Sequence, residues 1–468
     1  MSKLLSRVLA VILAVSVTAM GLVVSHSKNS RAQRPAAARG IDRNQTLIAT
    51  TAEVLKETSQ LRELPVLRPV RSGAQSRQEI ERMLVSKLNQ QISQQEIHAL
   101  EQSLKKLGYV NGDFAYRPFI ISLLTEQVAG YYDPAARRFH LADWIDLAAQ
   151  KPVMAHELTH ALQDQHFNLR RFENWPRGDS DAELAAHSLI EGDATLTMSH
   201  YLLSRPSLVA EFMRSFGSGM SSEKFDKAPR PIRETLLFPY LQGIEWAAKV
   251  HQRGGWSALS KAYSQLPEST EQILHAEKYF NRESPKTVRL PNFTNLLGSK
   301  QTADSRQQTA SNRRSGKRTN PRSAIRNLKS AGWKQIETDV NGEWGYYLAL
   351  DEFLKSPVDS KRAAAGWGGD KYALYEHSKT GDLFLVQVAL WDTVQDAKEF
   401  FDAYVKRTAL RYPQGQVTPD DRNTNTETTR RWQTREGGVL IELRGARVVI
   451  LEGVPVDVSA TDLLGHIH

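Results

Sequence analysis

Apolar residues in the first quarter of the chain recur at helical spacing. Ile80, Met83, Leu84, Leu88 and Ile92 form one stripe, and Ile97, Leu100, Leu104 and Leu107 form a second. Residues three and four apart share a helix face, so residues 46–107 are expected to be helical, closing at Gly108 and the Asn111-Gly112 pair. Residues 119–127 predict another short helix. The period then changes: Gly130-Tyr131-Tyr132-Asp133-Pro134 reads as a strand entering a turn, and Arg138-Phe139-His140-Leu141 as its return.

Helical spacing resumes after Pro152, a residue tolerated in a first turn. Val153, Met154, Leu158, Ala161 and Leu162 supply its apolar cover. Ser180-Asp181-Ala182-Glu183 matches a capping box, with Ser180 as N-cap, and the helix it opens runs past Thr195 and stops before Pro206. Residues 211–216, 232–251 and 256–263 continue the pattern. Ser269 or Thr270 caps one more helix within the polar block that ends at His275. Residues 294–330 lose all periodicity. Beyond Gly332, residues 372–376, 383–390, 439–443 and 448–451 read as strands. An amphipathic helix over 393–407 carries Val394, Ala397, Phe400, Phe401 and Tyr404 on one face. Gly366-Trp367-Gly368-Gly369-Asp370 reads as a tight loop presenting an aromatic. The expected class is α+β: a mostly helical domain with a small edge hairpin over residues 41–293, a linker over 294–330, and a smaller α+β domain over 331–468.

Chemistry concentrates on the helix after Pro152. His156 and His160 lie four residues apart, so both imidazoles can aim at one point, and neutral imidazole is a good zinc ligand. Glu157, a third of a turn away, can reach a water at such a metal without ligating it. As a bare pentapeptide the pattern also describes two surface histidines, so it needs context. The second helix gives it. Glu191 follows His160 by 31 residues in an otherwise apolar segment, where an unpaired carboxylate is costly to bury and a metal removes the cost. Gly192 weakens a helix relative to alanine, which points to close approach of another backbone.

These residues resemble the zincin metallopeptidases, and among them the gluzincins, which combine H-E-x-x-H with a glutamate from a downstream helix. His156-Glu157-Leu158-Thr159-His160-Ala161 and Asp164 look like the thermolysin-type helix. The whole chain is more similar to uncharacterised secreted bacterial proteins with G-Y-Y-D-P, H-E-x-x-H-A-L-Q-D and E-G-D-A blocks. The resemblance implies a zincin-like domain holding Zn²⁺ through His156, His160 and Glu191, with Glu157 as general base and a peptide or protein as substrate. The edge hairpin would hold that substrate in extended form; the plainer reading is a hairpin that only packs its tyrosines. One position departs. The thermolysin group has an aspartate four residues after the ligand glutamate, orienting the first histidine, and here Thr195 stands there. Asp193, Asp181 and Asp164 are the candidate replacements, and His187 is either an outer partner or structural. A donor facing the developing oxyanion is sought outside the two metal helices. Tyr131, Tyr132, Tyr240, Tyr279 and His275 are the candidates, with His275 preferred because Glu271 can orient it. The other classes considered are a binding or scaffold protein on the same fold and a zinc amidase acting on cell-wall peptides.

Composition narrows the setting. The 468 residues are 40% hydrophobic and 24% charged, an ordinary globular balance, and contain no cysteine. That excludes disulfides, cysteine–zinc sites, a lipid-anchoring cysteine and a cysteine nucleophile. Lys3 and Arg7 precede an apolar run from Val8 to about Val24, which reads as an export signal within residues 1–40. Val17-Thr18-Ala19 and Ser30-Arg31-Ala32 both fit a cleavage site. The run also reaches the lower limit of a membrane span, so the alternative is an uncleaved inner-membrane anchor at residues 8–25. Either way the body is expected outside the cytoplasm, periplasmic or secreted. The formal charge is +9, of which residues 300–329 carry +8 and residues 1–40 carry +6, leaving −5 on the remainder. The basic charge thus belongs to tail and linker, and no nucleic-acid motif accompanies it, so no nucleic-acid partner is expected.

Overall fold

The computed structural model describes residues 36–144, 147, 150–173, 175–176, 178–209, 223–298, 332–418 and 427–467. The expected export segment falls outside these residues except for 36–40, and the expected linker except for 294–298. The helix expected at 211–216 also lies outside them. Among the described residues no helix is long and apolar enough to cross a membrane.

The chain divides into two compact units. Among the described residues, the first comprises 36–97 together with Asp113–Ser284; the second comprises His98–Gly112 and the residues from Pro285 onward. The division differs from the expected cut at 293. Phe293 and Leu297 are buried in the core of the second unit, so the chain from Pro285 packs there. The helix after Gln94 is tied to the same unit: His98 bonds Glu376, and Leu107 O accepts from Arg407 Nη2. An apolar stripe shows that a face is buried, not which core buries it.

The first unit contains α1 (Ala36–Arg62), β1 (Arg71–Gln75), α2 (Arg77–Gln91), the start of α3 (Gln94–Leu107), α4 (Tyr116–Gln127), β2 (Gly130–Asp133), β3 (Arg138–Ala142), α5 (Lys151–Phe167), α6 (Ser180–Leu203), α7 (Arg230–Ala262), α8 (Thr270–Leu274) and α9 (Ala276–Phe280). The expected hairpin forms, with Tyr131 opposite His140 and Tyr132 opposite Phe139. A third strand joins it: β1 pairs in parallel with β3, giving the order β1-β3-β2 with β2 at an edge. Residues 71–75 fall within the stretch whose spacing predicts helix. Arg71-Ser72-Gly73-Ala74-Gln75 has no alternating pattern, and only pairing with β3 makes it a strand.

Helix α5 is the centre of this unit. Pro152 through Asp164 are all buried, as expected of a helix enclosed on every side rather than amphipathic. Met154, Ala155, Leu158 and Leu162 pack against Leu47, Val54 and Leu55 of α1, Phe139 and Leu141 of β3, and Tyr201 of α6. Each such fully buried side chain stabilises the fold by about 1.5–3 kcal/mol. Helix α6 starts one residue earlier in the chain than the capping-box pattern suggests: its N-cap is Asp179, accepting from Ala182 N, and Ser180 lies inside the helix. Helices α6 and α7 cross at Gly192 and Gly243, where a Cβ on Gly192 would stand 2.2 Å from Gly243 O. This is the close backbone approach that Gly192 implied. The two helical stretches expected at 232–251 and 256–263 are one element, kinked at Gly254 and at Gly255, whose φ is +64°.

The second unit is a seven-stranded antiparallel sheet of order β4-β5-β6-β10-β9-β8-β7. It contains α10 (Thr294–Gly298), β4 (Trp333–Asp339), α11 (Gly342–Leu354), α12 (Pro357–Ala364), β5 (Trp367–His377), β6 (Leu383–Trp391), α13 (Val394–Arg411), β7 (Gln416–Thr418), β8 (Glu427–Thr434), β9 (Gly437–Arg444), β10 (Arg447–Val454) and α14 (Ala460–Leu464). One face packs on Phe293, Leu297 and Leu463. The other meets α13, where Tyr404 OH donates to Glu452 and accepts from Gln387 Nε2. The segment read as a loop at 366–370 opens β5 instead. Trp367 is buried and its Nε1 donates to Asp370, which also accepts from the backbone of Asn341 and Gly342. The molecule is α+β, as expected.

Candidate metal centre

The buried helix α5 places His156 and His160 one turn apart with their rings nearly perpendicular, centroids 4.8 Å apart. Helix α6 brings Glu191 to them. Its Oε2 lies 3.1 Å from His156 Nε2 and 3.4 Å from His160 Nε2, and the two Nε2 atoms are 3.2 Å apart. None of these residues, nor Glu157, is more than 1% exposed. Two imidazole nitrogens facing each other across 3.2 Å cannot both donate, and nothing from solvent reaches them.

The charges reflect this enclosure. Burial pushes the pKa of Glu191 up, but His160 and His156 outweigh it and hold it at about 2. Burial pushes His160 down, yet Glu191, Glu157 and Gln163 carry it to about 9. His156 is lowered, chiefly by burial. Two nitrogens and one carboxylate oxygen, convergent and buried, match the His₂Glu donor set that catalytic zinc sites use. Glu191 Oε1 and His156 Nδ1 are buried without a hydrogen-bond partner, and the guanidinium of Arg62 is engaged by Asp193. A buried carboxylate facing two imidazole nitrogens that cannot both donate is an arrangement a divalent ion satisfies, so the residues fit zinc.

Glu157 is next to His156 on α5. Its Oε2 accepts from the backbone N–H of Tyr132 at 3.1 Å, on edge strand β2. The general-base candidate is therefore positioned by the hairpin. The two hairpin tyrosines are committed elsewhere: Tyr131 OH donates to Gln75 Oε1 and Tyr132 OH to Asp164 Oδ2. Tyr279 OH donates to Gln265 O. Tyr240 differs. Its ring lies over His156, centroids 6.1 Å apart, and its buried hydroxyl lies beside the carboxylate of Glu191. Burial raises its pKa well above 10, and the nearby carboxylates of Glu191 and Glu157 raise it further, so it stays protonated.

His275 does not join the buried group. It is exposed, at the junction of α8 and α9. The polar block before it is a cap: Ser269 accepts from Gln272 N, and Thr270 donates through N and Oγ1 to Asp181. Asp181 is thereby removed from the candidates for orienting a histidine. Asp164 is occupied by Tyr132, Arg68 and Leu169 N. Asp193 acts through an intermediary that the sequence analysis did not single out, Gln163. Gln163 Oε1 lies 2.8 Å from His160 Nδ1, and its Nε2 donates to Asp193 Oδ2. Its place three residues after His160, on the same helix face, was the available signal. His187 is buried with neither ring nitrogen hydrogen-bonded, and burial lowers its pKa to about 4.

A family model described as a domain of unknown function (DUF8575) matches residues 329–462, away from the two metal helices. No curated protein and no solved structure matches the chain.

Proposed function

We propose that the chain is an exported zinc-dependent hydrolase that cleaves peptide bonds, a zincin-like enzyme of the gluzincin kind. The observation that carries this reading is the convergence of His156, His160 and Glu191, whose ligand atoms all lie within 4.8 Å of one another, beside the carboxylate of Glu157. Zinc held there supplies a Lewis acid and lowers the pKa of an attacking water. Glu157 takes the proton of that water and returns it to the leaving amine. The Tyr132 N–H holds the Glu157 carboxylate in place and disperses its charge. Tyr240, kept protonated by burial and the nearby carboxylates, donates to the oxygen on which negative charge develops. A retained base separates this reading from a scaffold that keeps the ligands and cleaves nothing. All four residues are shut off from solvent, so a peptide reaches them only when the site opens. The apolar N-terminal segment supports export.

The test is metal analysis of the purified full-length protein together with a peptide-library digest. Wild type should carry about one zinc per chain. His160→Ala and Glu191→Ala should lose it, and undiminished zinc in either removes that residue from the ligand set. Glu157→Gln should keep zinc and lose hydrolysis by about 10²-fold or more. Comparable turnover in that variant overturns the assigned base.

A further inference from the structure

We infer that Arg62, Asp193 and Gln163 form a positioning chain that fixes which nitrogen of His160 faces the metal, so that the last residue of α1 tunes zinc affinity. This rests on the zinc reading above. The argument starts from the amide of Gln163. Its nitrogen faces two atoms that only accept, Ile190 O at 3.1 Å and Asp193 Oδ2 at 3.0 Å. Flipping the amide would set oxygen against two oxygens, so Oε1 must be the atom 2.8 Å from His160 Nδ1. An amide oxygen only accepts. Nδ1 therefore carries the hydrogen, and the lone pair of neutral His160 sits on Nε2, the nitrogen that faces Glu191.

Asp193 anchors that amide and is itself held. Arg62 Nε donates to Oδ1 at 2.5 Å and Arg62 Nη2 to Oδ2 at 3.1 Å, a bidentate pair. Tyr263 OH donates to Oδ2 at 2.9 Å. Arg62 is fixed in turn by Ser260 Oγ at 3.2 Å and lies over the Trp256 ring, 4.9 Å from its centroid. Arg62, Asp193 and Gln163 are all 0% exposed, so water does not compete for these bonds. The two histidines are unequal: His160 is clamped at Nδ1, whereas His156 Nδ1 has no hydrogen-bond partner. Pre-set orientation of one ligand is worth about 10- to 100-fold in metal affinity.

The test uses the full chain and two variants. Gln163→Met keeps length and bulk, removes the amide, and leaves Asp193 bonded to Arg62 and Tyr263. Arg62→Lys keeps the charge and removes the bidentate fork. Zinc affinity is read by chelator competition, ligand geometry by the visible spectrum of the cobalt-substituted protein, and folding by the thermal midpoint of the zinc-free form. Gln163→Met should bind zinc about 10- to 100-fold more weakly, with a changed cobalt spectrum and a near-normal zinc-free midpoint. Arg62→Lys should weaken zinc less, and the double variant should be no weaker than Gln163→Met alone, because Arg62 acts through Gln163. If Gln163→Met does not fold, a changed cobalt spectrum in Arg62→Lys supports the chain and an unchanged one overturns it. Wild-type affinity and spectrum in folded Gln163→Met, or additive losses in the double variant, overturn the proposal while leaving the zinc site standing. A wild-type chain that takes up no zinc overturns the zinc reading and this inference with it.

Discussion

Tyr240 keeps its hydroxyl buried beside the carboxylates of Glu191 and Glu157. Phenylalanine keeps the ring over His156 and gives up at most the net worth of one hydrogen bond, about 0.5–1.5 kcal/mol. Tyr240→Phe is therefore expected to fold and to retain zinc. Its kcat should fall by about 10²–10³-fold, the effect of losing one oxyanion donor. His275→Phe, at an exposed helix junction, should leave kcat unchanged. Steady-state rates and zinc content on the two variants decide between them, and a normal kcat in Tyr240→Phe removes the phenol from the reaction. His275 lies outside the buried group for a physical reason: a capped polar block has the same composition whether it faces a metal or closes a helix, and here Thr270 in that block bonds Asp181.

Among elements, the crossing of α6 and α7 sets where Glu191 sits, because Gly192 follows it directly. Helix propensity alone favours alanine over glycine by up to about 1 kcal/mol. Packing overrules it. A Cβ on Gly243 would lie 2.5 Å from Ser188 O, a backbone atom with no rotamer to yield. Gly243→Ala should push the helices apart, cost about 1–3 kcal/mol and weaken zinc binding through Glu191. Gly112→Ala, whose Cβ meets nothing within 4 Å, serves as the control. Thermal midpoints and chelator competition measure both effects, and a Gly243→Ala protein more stable than wild type would refute the crossing geometry. Sequence order hid β1 for a related reason, since its five residues become a strand through β3, more than sixty residues away.

At the scale of the molecule, both units bury ionic groups among their described residues. In the second, Glu452 is 0% exposed and bonds Arg407, Arg411 and Tyr404. Burial raises its pKa, but the two guanidiniums outweigh that and hold it at about 2, below the ordinary 4.5. A carboxyl more acidic in the fold than in the unfolded chain binds fewer protons when folded. Its contribution is complete above pH 4.5 and is lost as pH falls toward 2. Urea midpoints at pH 6 and pH 3 should show this loss in wild type. Glu452→Gln should be destabilised at pH 6 by about 3–5 kcal/mol, leaving Arg407 buried without its partner, and should lose much of the acid dependence. Equal pH dependence in the two proteins would exclude Glu452 as its source.

The convergence of His156 and His160 could be read from the sequence because they lie one turn apart on one helix, and helical spacing is local information. Glu191 and Gly192 could be read because a carboxylate and a glycine in an apolar helix are each unfavourable without a partner; the structure brings them against His156, His160 and Gly243. The hairpin, the cap at Ser269 and the α+β class follow from short-range pattern in the same way. Other features depended on pairings between distant segments. The apolar faces of residues 98–107 and 293–297 are equally hydrophobic whichever core receives them, and only packing assigns both to the second unit. Arg62 lies 131 residues from Asp193, and no local period connects them. Gln163 is adjacent to the motif, but its role exists only once Asp193 and Ile190 O fix its amide. Tyr240 comes over the His156 ring on α7, which crosses α6 at a pair of glycines. Spacing along the chain determined which side chains the site offers, and tertiary contact determined how they are oriented and held.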